Sequence, residues 1–442
     1  MSTNKIKFIS YLSIVLFFSS FISYNLAASL GSFVDEYASI ASIVKYFKTL
    51  KLDAGFLGGP YSVQLTSGPI SGVGFFIGWE LTKNFFIART SNVLFIFMIL
   101  ASYLFVNNRN YDEKVYLASF SALFVIPWWY GVLYSLGEIV STLFFMFGIF
   151  NLGNSKKYSM LFFSISIFFG KIILVLPFLG LLLIELISTE NKKGLLLSTP
   201  YFFIPFIFHI IPVNAFYHAG NLIDYYNDFF DLLLSHKGAG LETLNKNIFE
   251  KIINSEFSQW NFIVKFRILI SPLIFLLFLY KNREQINSLS ERLFIHIGSC
   301  TIILYLWFWL ISETKWLRYS QHFIVLVIYL TLFLVFNKSF KLDNLDTILL
   351  FLIIFPFLSN IYVILISFLL FVYLLIKNKN NLQKDRILSL ICMILFLNSI
   401  YLSYESYTNK IYRFNDGNNT IFQECLIKNT GEECKNNYLG EI

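Results

Sequence analysis

Charge is what this chain has least of. Only 14% of its 442 residues are Asp, Glu, Lys or Arg, against roughly a quarter in an ordinary soluble domain. With 56% apolar residues, 19% aromatic residues and a mean hydropathy of +0.64, that scarcity excludes a soluble globular fold. Cysteine is sparse too, at four residues. Cys300 and Cys392 fall inside apolar runs and read as small core residues. Cys425 and Cys434 lie near the C-terminus, where an oxidising compartment would permit a disulfide. Tandem repeats, low-complexity segments and linkers are absent, so no solenoid and no separate soluble module is expected.

What is present is a series of long apolar runs. About 13 are long enough to act as spans, at 8–28, 87–106, 114–131, 136–152, 158–170, 171–188, 194–216, 261–280, 292–311, 317–336, 344–357, 360–376 and 386–403. A backbone in lipid must satisfy its own hydrogen bonds, so the runs predict helices. The expected fold class is an all-α polytopic membrane protein. The first run is too long and too aromatic for a cleaved signal peptide and reads as a retained span.

Lysine and arginine stay on the cytoplasmic side of short loops. Lys5 and Lys7 therefore place the N-terminus inside. The loops with Arg109 and Lys114, Lys156 and Lys157, Lys192 and Lys193, Lys281 and Arg283, Lys338 and Lys341, and Lys377 to Arg386 then share that side. The turns at 131–135 and 357–360 carry neither basic residue. The formal net charge of +7 is thus a topology signal, with no nucleic-acid partner implied. Residues 1–403 form one membrane domain with outside loops at 29–86 and 217–260, and an outside tail follows at 404–442. The usage of Phe, Ile, Lys and Asn suggests an AT-rich bacterial genome, a cell inner membrane location and a periplasmic outer face.

Ser32 caps a helix whose first turn holds Asp35 and Glu36, and Tyr37, Ile40, Val44, Phe47 and Leu50 then recur opposite Lys45, Lys48 and Lys51. That pattern predicts an amphipathic helix on the membrane surface. Residues 69–82 predict a second interfacial helix. Charges at membrane depth are costly and mark candidate sites. Asp35 and Glu36 sit where the first span meets the outer surface, and Glu138 begins the fourth span. Lys171 lies at an outside turn where the charge rule predicts no lysine, and Lys315 and Arg318 repeat the anomaly beside Tyr319. Cations so placed suit an anionic ligand such as a phosphate. His218, Asp224, Asp228, Asp231 and His236 have no metal-motif spacing and read as a solvated loop.

In order along 8–335, these features resemble the polyprenyl-phosphate-sugar-dependent glycosyltransferases of the C superfamily (GT-C), especially the protein O-mannosyltransferase and lipid A aminoarabinose transferase branch. The features are Asp35-Glu36-Tyr37-Ala38 after the first span, Gly68-Pro69-Ile70 followed by a short helix and Arg89, Glu138, Lys171, and Arg318-Tyr319. The resemblance implies a GT-C-like bundle and transfer of one sugar from a polyprenyl-phosphate carrier to a lipid, glycan or protein acceptor, with inversion. It implies Asp35, Glu36 and Glu138 as catalytic residues and Lys171, Arg318, Tyr319 and Arg89 as donor-phosphate contacts. A divalent metal ion is an allowed cofactor, with no ligand set assigned. Two departures are visible. Where the family commonly has a charged residue or His before the proline, this chain has Gly68, and no counterpart of the family's metal-associated histidine can be assigned in 217–260. Trp128-Trp129-Tyr130-Gly131 lacks the aspartate of the oligosaccharyltransferase signature and lies elsewhere in the chain. The rival reading is a transporter or flippase of lipid-linked sugars, against which stand the absence of inverted repeats and the large first outside loop.

Overall fold

The computed structural model describes residues 3–29, 40, 43–44, 46–48, 68–107, 110–125, 137–188, 192–217, 223–224, 227, 247–253, 256–259, 261–312, 317–358, 360–377 and 384–409. The expected tail disulfide, Asp35, Glu36 and the tryptophan-rich turn lie outside these residues. Cys300 and Cys392 are buried free thiols, as their apolar surroundings predict.

Among the described residues the structure is helical, with one isolated bridge between Tyr111 and Asn337 in place of any sheet. The helices are α1 (Thr3–Ser29), α2 (Val73–Thr82), α3 (Phe85–Val106), α4 (Val115–Val125), α5 (Glu138–Leu152), α6 (Lys156–Phe168), α7 (Val175–Ser188), α8 (Lys192–Tyr217) and α9 (Ile248–Ile253). They continue with α10 (Phe262–Leu269), α11 (Ser271–Lys281), α12 (Arg283–Leu289), α13 (Leu293–Leu306), α14 (Gln321–Phe336), α15 (Asn344–Ile354), α16 (Ile361–Lys377) and α17 (Lys384–Asn409). Each apolar run coincides with helix where it is described. Among the described residues, five helical stretches are long and apolar enough to cross a membrane: Ile9–Ala27, Phe85–Val106, Phe262–Lys281, Leu293–Ile311 and Lys384–Glu405.

Among the other apolar helices, α14 is enclosed by protein. All 16 of its residues are buried, so it is apolar all round because protein surrounds it. It packs against α4, α5, α11, α13 and α15, and its aromatic side chains anchor the main core. Tyr103 of α3 stacks on Phe147 of α5 at 3.9 Å. Tyr103 and Phe150 both meet Phe333 of α14, at 5.9 and 5.7 Å. These contacts fall near the C-terminal ends of α3, α5 and α14, so the three helices run parallel and begin at the same end of the bundle.

The other end gathers the basic loops. Lys338 N–H donates to Asn110 O at 2.8 Å and Asp112 N–H to Phe336 O at 2.9 Å. Lys384 Nζ donates to Phe340 O at 2.6 Å. Lys281 bonds Asp343 and Asp346 at 2.7 Å each, and Lys341 N–H donates to Gln285 Oε1 at 2.8 Å. Glu185 pairs with Lys156 at 2.7 Å and with His296 at 2.8 Å. Loops assigned to one side by charge alone are therefore bonded to one another. The partners are Asp, Glu and backbone carbonyls, as burial of their ammonium groups requires.

Residues 69–72 form a 3-10 turn that leads into α2. Lys83 ends α2 in the left-handed region (φ 52°). Asn84 then caps α3, its side chain accepting from Ile87 N–H at 3.1 Å, which satisfies an orphan donor of the first turn. The result is a tight hairpin with Phe75 and Trp79 of α2 on Phe85 and Ala88 of α3. The apolar stripe expected to lie on the bilayer is, at Ile40 and Val44, covered by this hairpin instead. Lys48 on the opposite side is exposed and pairs with Glu80 at 2.9 Å. An apolar stripe is buried equally well by protein or by lipid, so its period does not choose between them.

Candidate active site at one end of the bundle

Glu138 opens α5, where a carboxylate complements the helix dipole. Its cap is Gly137 at φ 86°, a conformation that other residues adopt only with strain. A Cβ there would also approach Ser71 Cβ to 3.0 Å and Lys171 Cε to 3.6 Å. Gly137 is thus the narrow point at which α5, the turn before α2 and the turn after α6 converge.

Lys171 stands between α6 and the 3-10 turn Ile172–Leu174 in extended backbone, its N–H bonded to Ser166 O at 2.9 Å. Two backbone bonds tie this turn to the first outside loop. Gly68 N–H donates to Gly170 O at 2.8 Å, and Ile70 N–H donates to Phe169 O at 3.0 Å. Ser71 Oγ closes the loop by donating to Gly68 O. A Cβ at residue 68 would stand 2.2 Å from the Phe169 carbonyl carbon and oxygen. The departure noted at Gly68 therefore has a steric cause: the pairing leaves no room for a side chain, charged or otherwise.

The consequence is an ion pair that sequence separation conceals. Lys171 Nζ lies 3.1 Å from Glu138 Oε1, with side-chain exposures of 8% and 2%. Neither group snorkels to solvent, the ordinary fate of a charge at a span end. Glu138 Oε2 is buried with no hydrogen-bond partner. A carboxyl group with one oxygen bonded and one unmet in a low-dielectric surround is poised to bond an incoming polar group.

Arg89 lies at the same end, one turn into α3. It is 1% exposed, donates from Nη1 to Ala27 O at 3.0 Å, and sits 4.6 Å over the Phe85 ring. Tyr319 is half-buried in the 3-10 turn before α14, its ring 6.0 Å from Trp307. Arg318 shares that turn. Since α3, α5 and α14 begin together, Arg89, Glu138, Lys171, Arg318 and Tyr319 all belong to one end of the bundle. Asp35 and Glu36 fall outside the described residues, as does Lys315. Of the loop residues weighed as ligands, Asp224 alone is described, and it is exposed. Among the described residues no three His, Cys, Asp or Glu side chains come together as a metal site.

Sequence reasoning missed Gln321, the first residue of α14. It is fully buried, and neither its amide nitrogen nor its oxygen has a partner. A single Gln at the head of an apolar run carries no periodic signal.

Comparison with known proteins returns little. No family model matches the chain, and no curated protein matches it. Among solved structures it is similar to the crystal structure of ArnT from Cupriavidus metallidurans in the apo state. That match has 12% sequence identity and a TM-score of 0.49, covering 92% of this chain and 78% of that one.

Proposed function

We propose that this protein is a membrane glycosyltransferase of GT-C type that moves a single sugar from a polyprenyl-phosphate carrier to a lipid, glycan or protein acceptor at the periplasmic face, with inversion. The observation that carries the proposal is the buried Lys171–Glu138 pair with one carboxylate oxygen unmet, placed at the end of the bundle where Arg89 and the Arg318–Tyr319 turn also lie. Buried charges of both signs at membrane depth are retained for function far more often than for stability.

In this reading the acceptor oxygen attacks the anomeric carbon from the side opposite the phosphate, and the carbon–oxygen bond to the phosphate breaks. Asp35 takes the proton of a hydroxyl acceptor. For an acceptor that is already an anionic phosphate, Asp35 orients it instead. Glu36 and Glu138 position the sugar. Lys171, with Arg318, Arg89 and Tyr319, stabilises the charge that builds on the leaving phosphate. Because Glu138 already neutralises Lys171, the arginines supply the net positive charge. A divalent cation, if bound, would add charge neutralisation at the phosphate, and Glu138 Oε2 is an unmet oxygen that could hold it.

A largely apolar groove of about 520 Å³ between α1 and α17 is lined by Phe18, Phe21, Ile22, Asn25, Ile400, Ser403 and Tyr404. Asn25 is two residues from the Ala27 carbonyl that holds Arg89. The prenyl tail is assigned to this groove, which supports membrane lipid as a partner.

The test is transfer of labelled sugar from a synthetic polyprenyl-phosphate donor pool to membrane extracts, comparing wild type, Asp35→Asn and Lys171→Ala at matched expression. Loss of transfer in both folded variants is expected. A wild type inactive with every donor, while flux of lipid-linked sugar persists, would replace the transferase by the flippase.

A further inference from the structure

The end of α13 departs from regular helix. Trp307–Ile311 forms a π-helical turn, closed by Ser312 N–H donating to Trp307 O at 3.0 Å. Such turns interrupt helices mostly at functional sites, because the widened turn re-aims side chains at a cost in hydrogen-bond geometry. Here it sets the Trp307 ring against Tyr319 at 6.0 Å and His322 at 6.3 Å. Gln321 lies between those two residues in sequence, fully buried with both amide groups unmet.

Its level in the bundle follows from the core contacts. Phe150 and Phe333 meet at 5.7 Å on the parallel helices α5 and α14. Each is twelve residues, about 18 Å of helix, from the first residue of its helix, Glu138 or Gln321. The unmet amide and the unmet Glu138 oxygen therefore start neighbouring helices at one height.

We infer that Gln321 is a sugar-hydroxyl contact, the residue by which the site distinguishes a sugar-loaded carrier lipid from a bare one; this rests on the transferase reading above. The chemistry of the amide selects the ligand. A phosphate offers only acceptors and would leave the amide oxygen unmet, and a prenyl chain would leave both groups unmet. A hydroxyl donates and accepts, as the amide does.

A structural role and a binding role predict opposite stability effects. An amide that holds the fold is costly to remove, whereas replacing an unmet buried amide with an apolar group of the same shape is neutral or stabilising. Gln321→Met is close in shape and carries no amide. Wild type and Gln321→Met, purified in lipid nanodiscs, are titrated with bare polyprenyl phosphate and with a panel of polyprenyl-phosphate hexoses and pentoses, and their thermal midpoints are recorded. Wild type is expected to bind at least one sugar-loaded lipid about tenfold tighter than the bare lipid, the scale of one net hydrogen bond. In Gln321→Met that preference falls to near one, with bare-lipid affinity unchanged and the midpoint equal or higher. A preference that survives the substitution overturns the inference, and a lowered midpoint with preference intact assigns the amide to an internal water. Wild type that binds bare lipid with no sugar preference overturns the inference alone. Wild type that binds neither lipid overturns the transferase reading with it.

Discussion

Replacing Lys171 by Met removes the only cation bonded to Glu138 among the described residues. At 3.1 Å and an effective dielectric near 20, the gross attraction of the pair is about 5 kcal/mol, opposed by desolvation of both ions. Losing one partner leaves the other buried and uncompensated, which typically costs about 3–5 kcal/mol. Lys171→Met should therefore fall in that range. Glu138→Gln should cost less, because the amide oxygen still accepts from the ammonium. The double variant should regain part of the loss, with a coupling of about 2–3 kcal/mol. Thermal unfolding in one detergent at pH 7, with denaturant titration as a second readout, measures the cycle. Sugar transfer should fall sharply in all three variants, including the double variant in which stability recovers, because each lacks the ammonium beside the leaving phosphate, the carboxylate that positions the sugar, or both. Singles within about 0.5 kcal/mol of wild type and strictly additive in the double would show that the pair does not form, and the site built on it would fall.

Gly68→Ala should cost at least about 2 kcal/mol and reduce transfer, since its Cβ must displace the Phe169 carbonyl 2.2 Å away; limited proteolysis and the thermal midpoint check it. Glu185→Leu leaves Lys156, Arg292 and His296 without the carboxylate they share, with an expected loss of about 3 kcal/mol; unchanged unfolding would refute the clamp. Burial alone would raise the Asp343 carboxyl, but the Lys281 ammonium and the Asp346 N–H outweigh it and hold it below its ordinary value. Its contribution is thus present above the unfolded carboxylate value of about 3.9 and lost as pH falls through the lower folded value. Asp343→Asn keeps the helix cap and should therefore lower stability at pH 7 by only about 0.5 kcal/mol and flatten the acid limb below about pH 4. Cys300 and Cys392, both buried, should resist maleimide until the protein is unfolded; rapid labelling of the native protein would contradict the packing.

The helices, their approximate ends and the gathering of basic loops at one face could all be read from the sequence. In a bilayer each helix must satisfy its own backbone, so the signal is local and one-dimensional, and retained positive charge marks one side of every loop. Residues Glu138 and Lys171 stood out singly for the same reason, as charges in apolar surroundings. Their pairing did not. It arises because α5 and α6 form a hairpin whose far turn is bonded to Gly68 and Ile70, contacts between distant segments that no periodicity encodes. The burial of α14 on every side was equally hidden, since an apolar run reads the same against lipid and against protein. Gln321 was silent, because an uncharged amide barely changes local hydropathy and becomes costly only when tertiary packing removes its water. Sequence alone determined which segments are helical and which side their loops favour; tertiary structure alone decided which buried polar groups meet and which stay unmet, because that depends on the distance between helices and not on the order of residues along them.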